Sequence, residues 1–292
     1  MICNLCPRSC GAERTETAGL GYCRMPAAPV LARAALHHWE EPPISGVRGS
    51  GTVFFSGCSL GCLFCQNEKI SHQDFGRAVT PARLREVCQA LIDRGAHNLN
   101  FVNPTHYTHV LAALLSDWRP PVPVVFNTGG YDRVDTLRGL EGKVDVYLPD
   151  LKYLDSGAAR RYSAAPGYPE IAQAAIREMV RHTGPCRFDD NGLLLSGTII
   201  RHLILPGQVN QAKAAMDWVS RTFEPGTVLF SLMSQYTPWG DLSALPELNR
   251  RLRPGEIRST QEYMENLGLD GFTQERTSAK EEYTPPFDLT GI

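Results

Sequence analysis

Between residues 51 and 233, short apolar runs alternate with amphipathic stretches, and this alternation restricts the chain to one class of fold. GTVFFSG (51–57), NLNFVN (98–103), PVVFN (123–127), VDVYLPDL (144–151), GTIIRHLILPG (197–207) and TVLFSLM (227–233) read as buried strands. The intervening stretches 80–95, 106–118, 133–142, 163–183 and 208–223 read as helices. The first is the clearest, with Thr80 as N-cap, Pro81 in the first turn and Gly95 as the stop. Strands and helices in strict alternation predict an α/β fold with a parallel sheet. Six such steps fall short of the eight of a closed barrel, so a partial (β/α)6 barrel or a doubly wound sheet is expected. Both gather their ligands at the C-terminal ends of the strands. A helix or two and a polar, proline-containing tail should follow residue 233. Residues 1–50 read as a cysteine-rich extension with one short strand near 30–36, and 51–292 as the core.

At 42% hydrophobic residues the chain has enough apolar side chains for a core, and its formal net charge of −2 gives no pull towards nucleic acid or acidic lipid. No apolar run approaches the ~18 residues of a membrane span. The start, MICNLCPRSC, lacks the apolar stretch of a signal peptide, which leaves the cytoplasm as the expected compartment.

In a reducing compartment, clustered cysteines point to metal and not to disulfides. Of nine cysteines, Cys58, Cys62 and Cys65 fall in CSLGCLFC, and Cys3, Cys6, Cys10 and Cys23 in the opening segment. Cys88 and Cys186 stand alone and read as small buried hydrophobes or surface thiols. The spacing C-x3-C-x2-C directly follows the first core strand, at the expected ligand edge. A four-iron cube normally takes four thiolates. Three leave one iron open, which marks a catalytic and not a structural centre. A zinc knuckle with a remote fourth ligand is the alternative.

With Phe64 before its last cysteine, this motif resembles the signature of the radical S-adenosylmethionine superfamily. TVFFSGCSLGCLFCQN, HHWEEPPISG and NPTHY further resemble the uncharacterised relatives of pyruvate formate-lyase activating enzyme. The resemblance implies a [4Fe-4S] cluster on Cys58, Cys62 and Cys65 and S-adenosylmethionine on the open iron. It also implies an electron donor such as flavodoxin or ferredoxin, and hydrogen abstraction from a substrate that could be a glycine of a partner protein. Asn127, Thr128, Gly129 and Gly130 are similar to the activase turn Asp-Thr-Asn-Gly, with Asn127 in place of the acid. That replacement puts the activase's monovalent cation in doubt. Asp150-Leu151-Lys152 matches Asp-Leu-Lys, which implies that Asp150 and Lys152 contact the cofactor. Arg201 matches a strand-five arginine, leaving His202 as a packing histidine.

The second strand departs from the family, with Asn103-Pro104-Thr105 where Gly-Gly-Glu is usual. Asn103 and Thr105 are candidate polar contacts, and Thr105 is equally a helix cap. Gln235 and Met233 are candidates for the adenine edge, against ordinary packing. Glu40 and Glu41, beside His37 and His38, read more as a solvated linker than a site. The pattern C-x2-C-x3-C-x12-C of Cys3, Cys6, Cys10 and Cys23 suits structural zinc or a second iron–sulfur cluster. Two readings compete with an enzyme: an iron–sulfur electron carrier or adaptor without its own chemistry, and a zinc protein throughout.

Overall fold

The computed structural model describes residues 1–273 and 285–292. Ten strands form one sheet: β1 (Val30–His37), β2 (Ser50–Phe55), β3 (Arg77–Ala78), β4 (Leu99–Val102), β5 (Val124–Thr128), β6 (Val146–Pro149), β7 (Arg187–Phe188), β8 (Leu194–Leu203), β9 (Leu229–Met233) and β10 (Gly271–Thr273). The order is β10-β9-β8-β6-β5-β4-β2-β1-β3, with β7 on the side of β8. From β2 through β10 the neighbours along this path are parallel. Among the described residues no pairing joins β10 to β3, so the sheet is open.

The six strands expected from the sequence are β2, β4, β5, β6, β8 and β9. The seventh parallel strand, β10, was not foreseen: its three residues, GFT, are too few to show a period. The 163–183 stretch is two helices, Ser156–Ser163 and Tyr168–Thr183, parted by a left-handed Ala164 and by Pro166-Gly167. The part of the expected tail at 274–284 lies outside the described residues. The end of the chain returns to β1, where the Ala34 and Leu289 amides donate to Thr290 and Ala32 carbonyls at 2.8 and 3.1 Å.

The central parallel strands β2, β4, β5 and β6 are buried on both faces, as parallel strands covered by helices must be. Their two-residue period separates an outer from an inner set. Outward, Phe101, Val124, Phe126 and Tyr147 pack with Leu84 and Leu111 of the helices Pro81–Asp93 and Thr108–Asp117. Inward, Val125, Val146, Leu148 and Ile199 enclose Ile44, which the β1–β2 connection inserts into the sheet's concavity. Continuing two residues along the same faces leads from Val125 to Asn127, from Leu148 to Asp150 and from Ile199 to Arg201. The inner surface is therefore apolar towards the strand starts and polar at the C-terminal ends. The helix Pro81–Asp93 starts as the sequence implies, with Thr80 Oγ1 accepting from the Arg83 amide at 3.1 Å.

Candidate metal and cofactor site

β2 ends at Phe55, and the chain turns through Gly57 into the loop that carries Cys58, Cys62 and Cys65. The three cysteines line one cavity of about 140 Å³ at the C-terminal edge of the sheet. Asn103, Asn127, Thr128, Asp150, Lys152 and Arg201 line the same cavity. Each sulfur receives a hydrogen bond. The Leu60 amide donates to Cys58 Sγ at 3.3 Å, Ser163 Oγ to Cys62 Sγ at 2.9 Å and Ser71 Oγ to Cys65 Sγ at 3.3 Å.

Burial pushes the Cys58 thiol up to about 12, with Cys62 and Cys65 adding to the effect, and it raises Cys65 as well. Buried thiolates so close together need positive charge, which bound metal provides. Three soft donors, each fixed by a hydrogen bond on one cavity wall, suit an iron–sulfur cluster. Among the described residues no three His, Cys, Asp or Glu side chains form a group that could hold a single metal ion. A cube, unlike one ion, spreads its ligands over separate irons.

The same cavity is lined by a charged network. Arg201 donates from Nε to Asp150 Oδ1 at 2.9 Å, from one Nη to Asn127 Oδ1 at 2.7 Å, and from the other to Glu40 Oε2 at 3.3 Å. Lys152 Nζ reaches Asp150 Oδ2 at 2.6 Å. Burial alone would raise the Asp150 carboxyl, but Arg201 and Lys152 more than offset it and hold it below the usual carboxylate range. Glu40 and Glu41 are the opposite case: burial raises both, against the pull of Arg201. Arg201 and Lys152 are two cations against the three carboxyl groups of Asp150, Glu40 and Glu41. The expectation of a solvated linker fails here. The Glu40 side chain is 10% exposed and Glu41 is 2% exposed, because the β1–β2 connection folds into the sheet's concavity.

Asn103 sits at φ +58, held there by its own side chain, whose Nδ2 donates to the Gly57 carbonyl at 2.5 Å. Thr105 does not line the cavity and does not cap a helix: Tyr107 holds the N-cap position of Thr108–Asp117. Its hydroxyl instead donates to Asp132 Oδ1 at 2.7 Å, while Thr128 donates to Asp132 Oδ2 at 2.6 Å. Gln235 also lies outside the cavity lining, and its Oε1 is buried without a hydrogen-bond partner. His202 faces away from Arg201, with Nδ1 2.6 Å from the Leu151 carbonyl. Gly130 is required by the turn after β5, since a Cβ there would lie 2.1 Å from the Asp150 carbonyl oxygen.

Asp132 is a buried carboxylate that sequence reasoning missed. Burial raises it from 3.8 to about 6, against the hydrogen bonds of Thr128 and Thr105. The folded state thus holds this proton more tightly than the unfolded state. The resulting stability is present below about pH 4 and is lost as pH rises to about 6, on the order of 3 kcal/mol. Asp132→Asn is expected to flatten the urea midpoint across that window; an unchanged slope would contradict the assignment.

The opening segment lies over the same edge. Arg8 donates to the carbonyls of Ser59 at 2.8 Å and Ala164 at 2.7 Å, and Thr136 Oγ1 donates to the Leu5 carbonyl at 2.8 Å. Cys3 and Cys6 are buried, Cys23 is partly buried and Cys10 is exposed. Cys6 lies within electrostatic reach of the other three.

Residues 45–147 match the family described as a 4Fe-4S single cluster domain, a span that contains Cys58, Cys62 and Cys65. Over 280 residues the chain is 30% identical to the uncharacterized protein MJ0674 of Methanocaldococcus jannaschii, covering 92% of this chain and 75% of the relative. Among solved structures it is similar to Streptococcus suis SuiB bound to S-adenosylmethionine, with 14% identity and a TM-score of 0.52 over 77% of this chain. The chain spans half the length of SuiB. A domain of a pyruvate-formate lyase-activating enzyme from Bacteroides vulgatus is similar at 13% identity and a TM-score of 0.41, covering 59% of this chain and 91% of that one. That last likeness is too loose to bear on the activase reading. No helix among the described residues is long and apolar enough to cross a membrane.

Proposed function

Because the chain belongs to the radical S-adenosylmethionine superfamily, within the family of MJ0674, we propose that it is an enzyme of that chemistry. A [4Fe-4S] cluster held by Cys58, Cys62 and Cys65 would supply one electron for the reductive cleavage of S-adenosylmethionine into methionine and a 5′-deoxyadenosyl group able to take hydrogen from a substrate. The single observation that carries this reading is the cavity itself, lined together by three hydrogen-bonded sulfurs and by Asp150, Lys152 and Arg201.

The residues divide the work by their chemistry. Cys58, Cys62 and Cys65 would hold the cluster, and a cluster with three protein ligands would leave one iron for S-adenosylmethionine. Lys152 presents an ammonium to a carboxylate, and the spare lone pairs of Asp150 accept from an ammonium. Arg201 positions Asp150 and Asn127. Asn103 forms the rim beside Cys58, its Oδ1 3.6 Å from the sulfur. Thr105 acts through Asp132 and Thr128 and touches no ligand. Residues 1–50 precede the 51–292 core in sequence, and from Val30 onward they join its sheet through β1. For the substrate, the resemblance of the cysteine motif to that of the activases favours a glycine of a partner protein.

Anaerobically reconstituted protein given dithionite and S-adenosylmethionine should release 5′-deoxyadenosine and methionine in equal amounts. Brown protein that binds iron but releases neither would point to an electron carrier instead.

A further inference from the structure

Arg14 is a buried cation, 1% exposed, and among the described residues it makes no salt bridge. Its guanidinium donates to the carbonyls of His106 at 2.6 Å and Pro26 at 2.5 Å, and lies 3.7 Å from Cys3 Sγ. Its Nε has no partner. A buried charge without a counter-charge is costly, and the groups beside it identify what is missing. The nearest of those groups is the Cys3 sulfur; Cys10 and Cys23 also lie within electrostatic reach of Arg14, and Cys6 lies within reach of all three of these cysteines.

The local backbone repeats that of the 58–65 loop. There, sulfurs accept from the amide two residues on: Cys58 from Leu60 and Cys65 from Asn67. In the opening segment Cys6 accepts from Arg8, Cys10 from Ala12 and Cys23 from Met25. Amides directed at sulfur are the donors that surround and tune bound clusters. Close packing at the tight turns also excludes side chains. A Cβ on Gly21 would stand 3.1 Å from Cys10 Sγ, and one on Gly19 would stand 1.9 Å from the Met25 carbonyl oxygen.

We propose that Cys3, Cys6, Cys10 and Cys23 hold a second iron–sulfur cluster, fully ligated by protein, with Arg14 as its buried counter-charge. Zinc and an iron–sulfur cluster both take four thiolates; the amide pattern shared with the 58–65 loop assigns both cysteine groups to the same kind of centre. Four protein thiolates leave no open iron, so this centre exchanges electrons and binds no substrate. It lies against the first: a Cβ on Gly57, next to Cys58, would be 2.9 Å from the Cys23 carbonyl oxygen.

The test uses the full chain with Cys58, Cys62 and Cys65 all changed to alanine, purified anaerobically. It should retain about four irons and four sulfides, against about eight of each in the unaltered protein. In that background Arg14→Met should move the remaining centre's reduction midpoint to more negative potential, since a nearby positive charge favours the reduced form. One zinc and no iron, or no metal at all, in the triple variant would overturn the proposal. An unshifted midpoint would overturn the role of Arg14. The iron count stands apart from S-adenosylmethionine cleavage, so failure of one reading does not carry the other with it.

Discussion

Cys62→Ala is expected to abolish release of 5′-deoxyadenosine while leaving the fold intact. The cube loses one of three anchors, and iron at this site falls with it. Stability should drop by only about 1 kcal/mol, because the residue is small and the sulfur's donor, Ser163, keeps its 2.7 Å bond to Tyr153. Cys88→Ala is the control. That thiol is buried in the helix Pro81–Asp93, pushed up to about 12 by burial alone, and lines no part of the cavity. Iron content and product release should be unchanged there. Iron content unchanged in Cys62→Ala would contradict the ligand set.

Arg201→Leu should give the largest loss of stability. Arg201 is the cation shared by Asp150 and Glu40, both with side chains at most 15% exposed. Removing one partner of a buried ion pair costs about 3–5 kcal/mol, because the remaining charge is left uncompensated. In the variant the folded-state pKa values of these carboxyls rise above their unfolded values. The deficit is therefore smallest at acid pH, where they are protonated in both states, and grows as pH rises through the carboxylate range. Urea midpoints at pH 5 and pH 8 measure this, with the larger deficit at pH 8. Adding Glu40→Gln should recover part of it; a double variant no better than the single would contradict the shared pairing.

The sequence resolved what repeats locally and missed what depends on distant contacts. Six strands showed because each is a run of apolar residues buried on both faces. The cysteine loop showed because its three ligands lie within eight residues of chain. Asp150, Lys152 and Arg201 were legible only through resemblance, and the structure adds that they form one ion cluster. Glu40 and Glu41 were misread because a polar pair before two prolines has the composition of a linker. Only the pairing of β1 with β2 turns that segment inward. Thr105 followed the same logic. Its neighbours suggest a cap, but its hydroxyl is bound by Asp132, 27 residues away. Arg14 carried no signal in one dimension, since its burial arises where the opening segment meets His106.

The most direct test of the account is the electron paramagnetic resonance spectrum of the reduced protein with and without S-adenosylmethionine. An open iron chelated by the cofactor's amino and carboxylate groups should give a changed signal from the centre at Cys58, Cys62 and Cys65. A reduced spectrum that is identical before and after addition would contradict the claim that this site leaves an iron free.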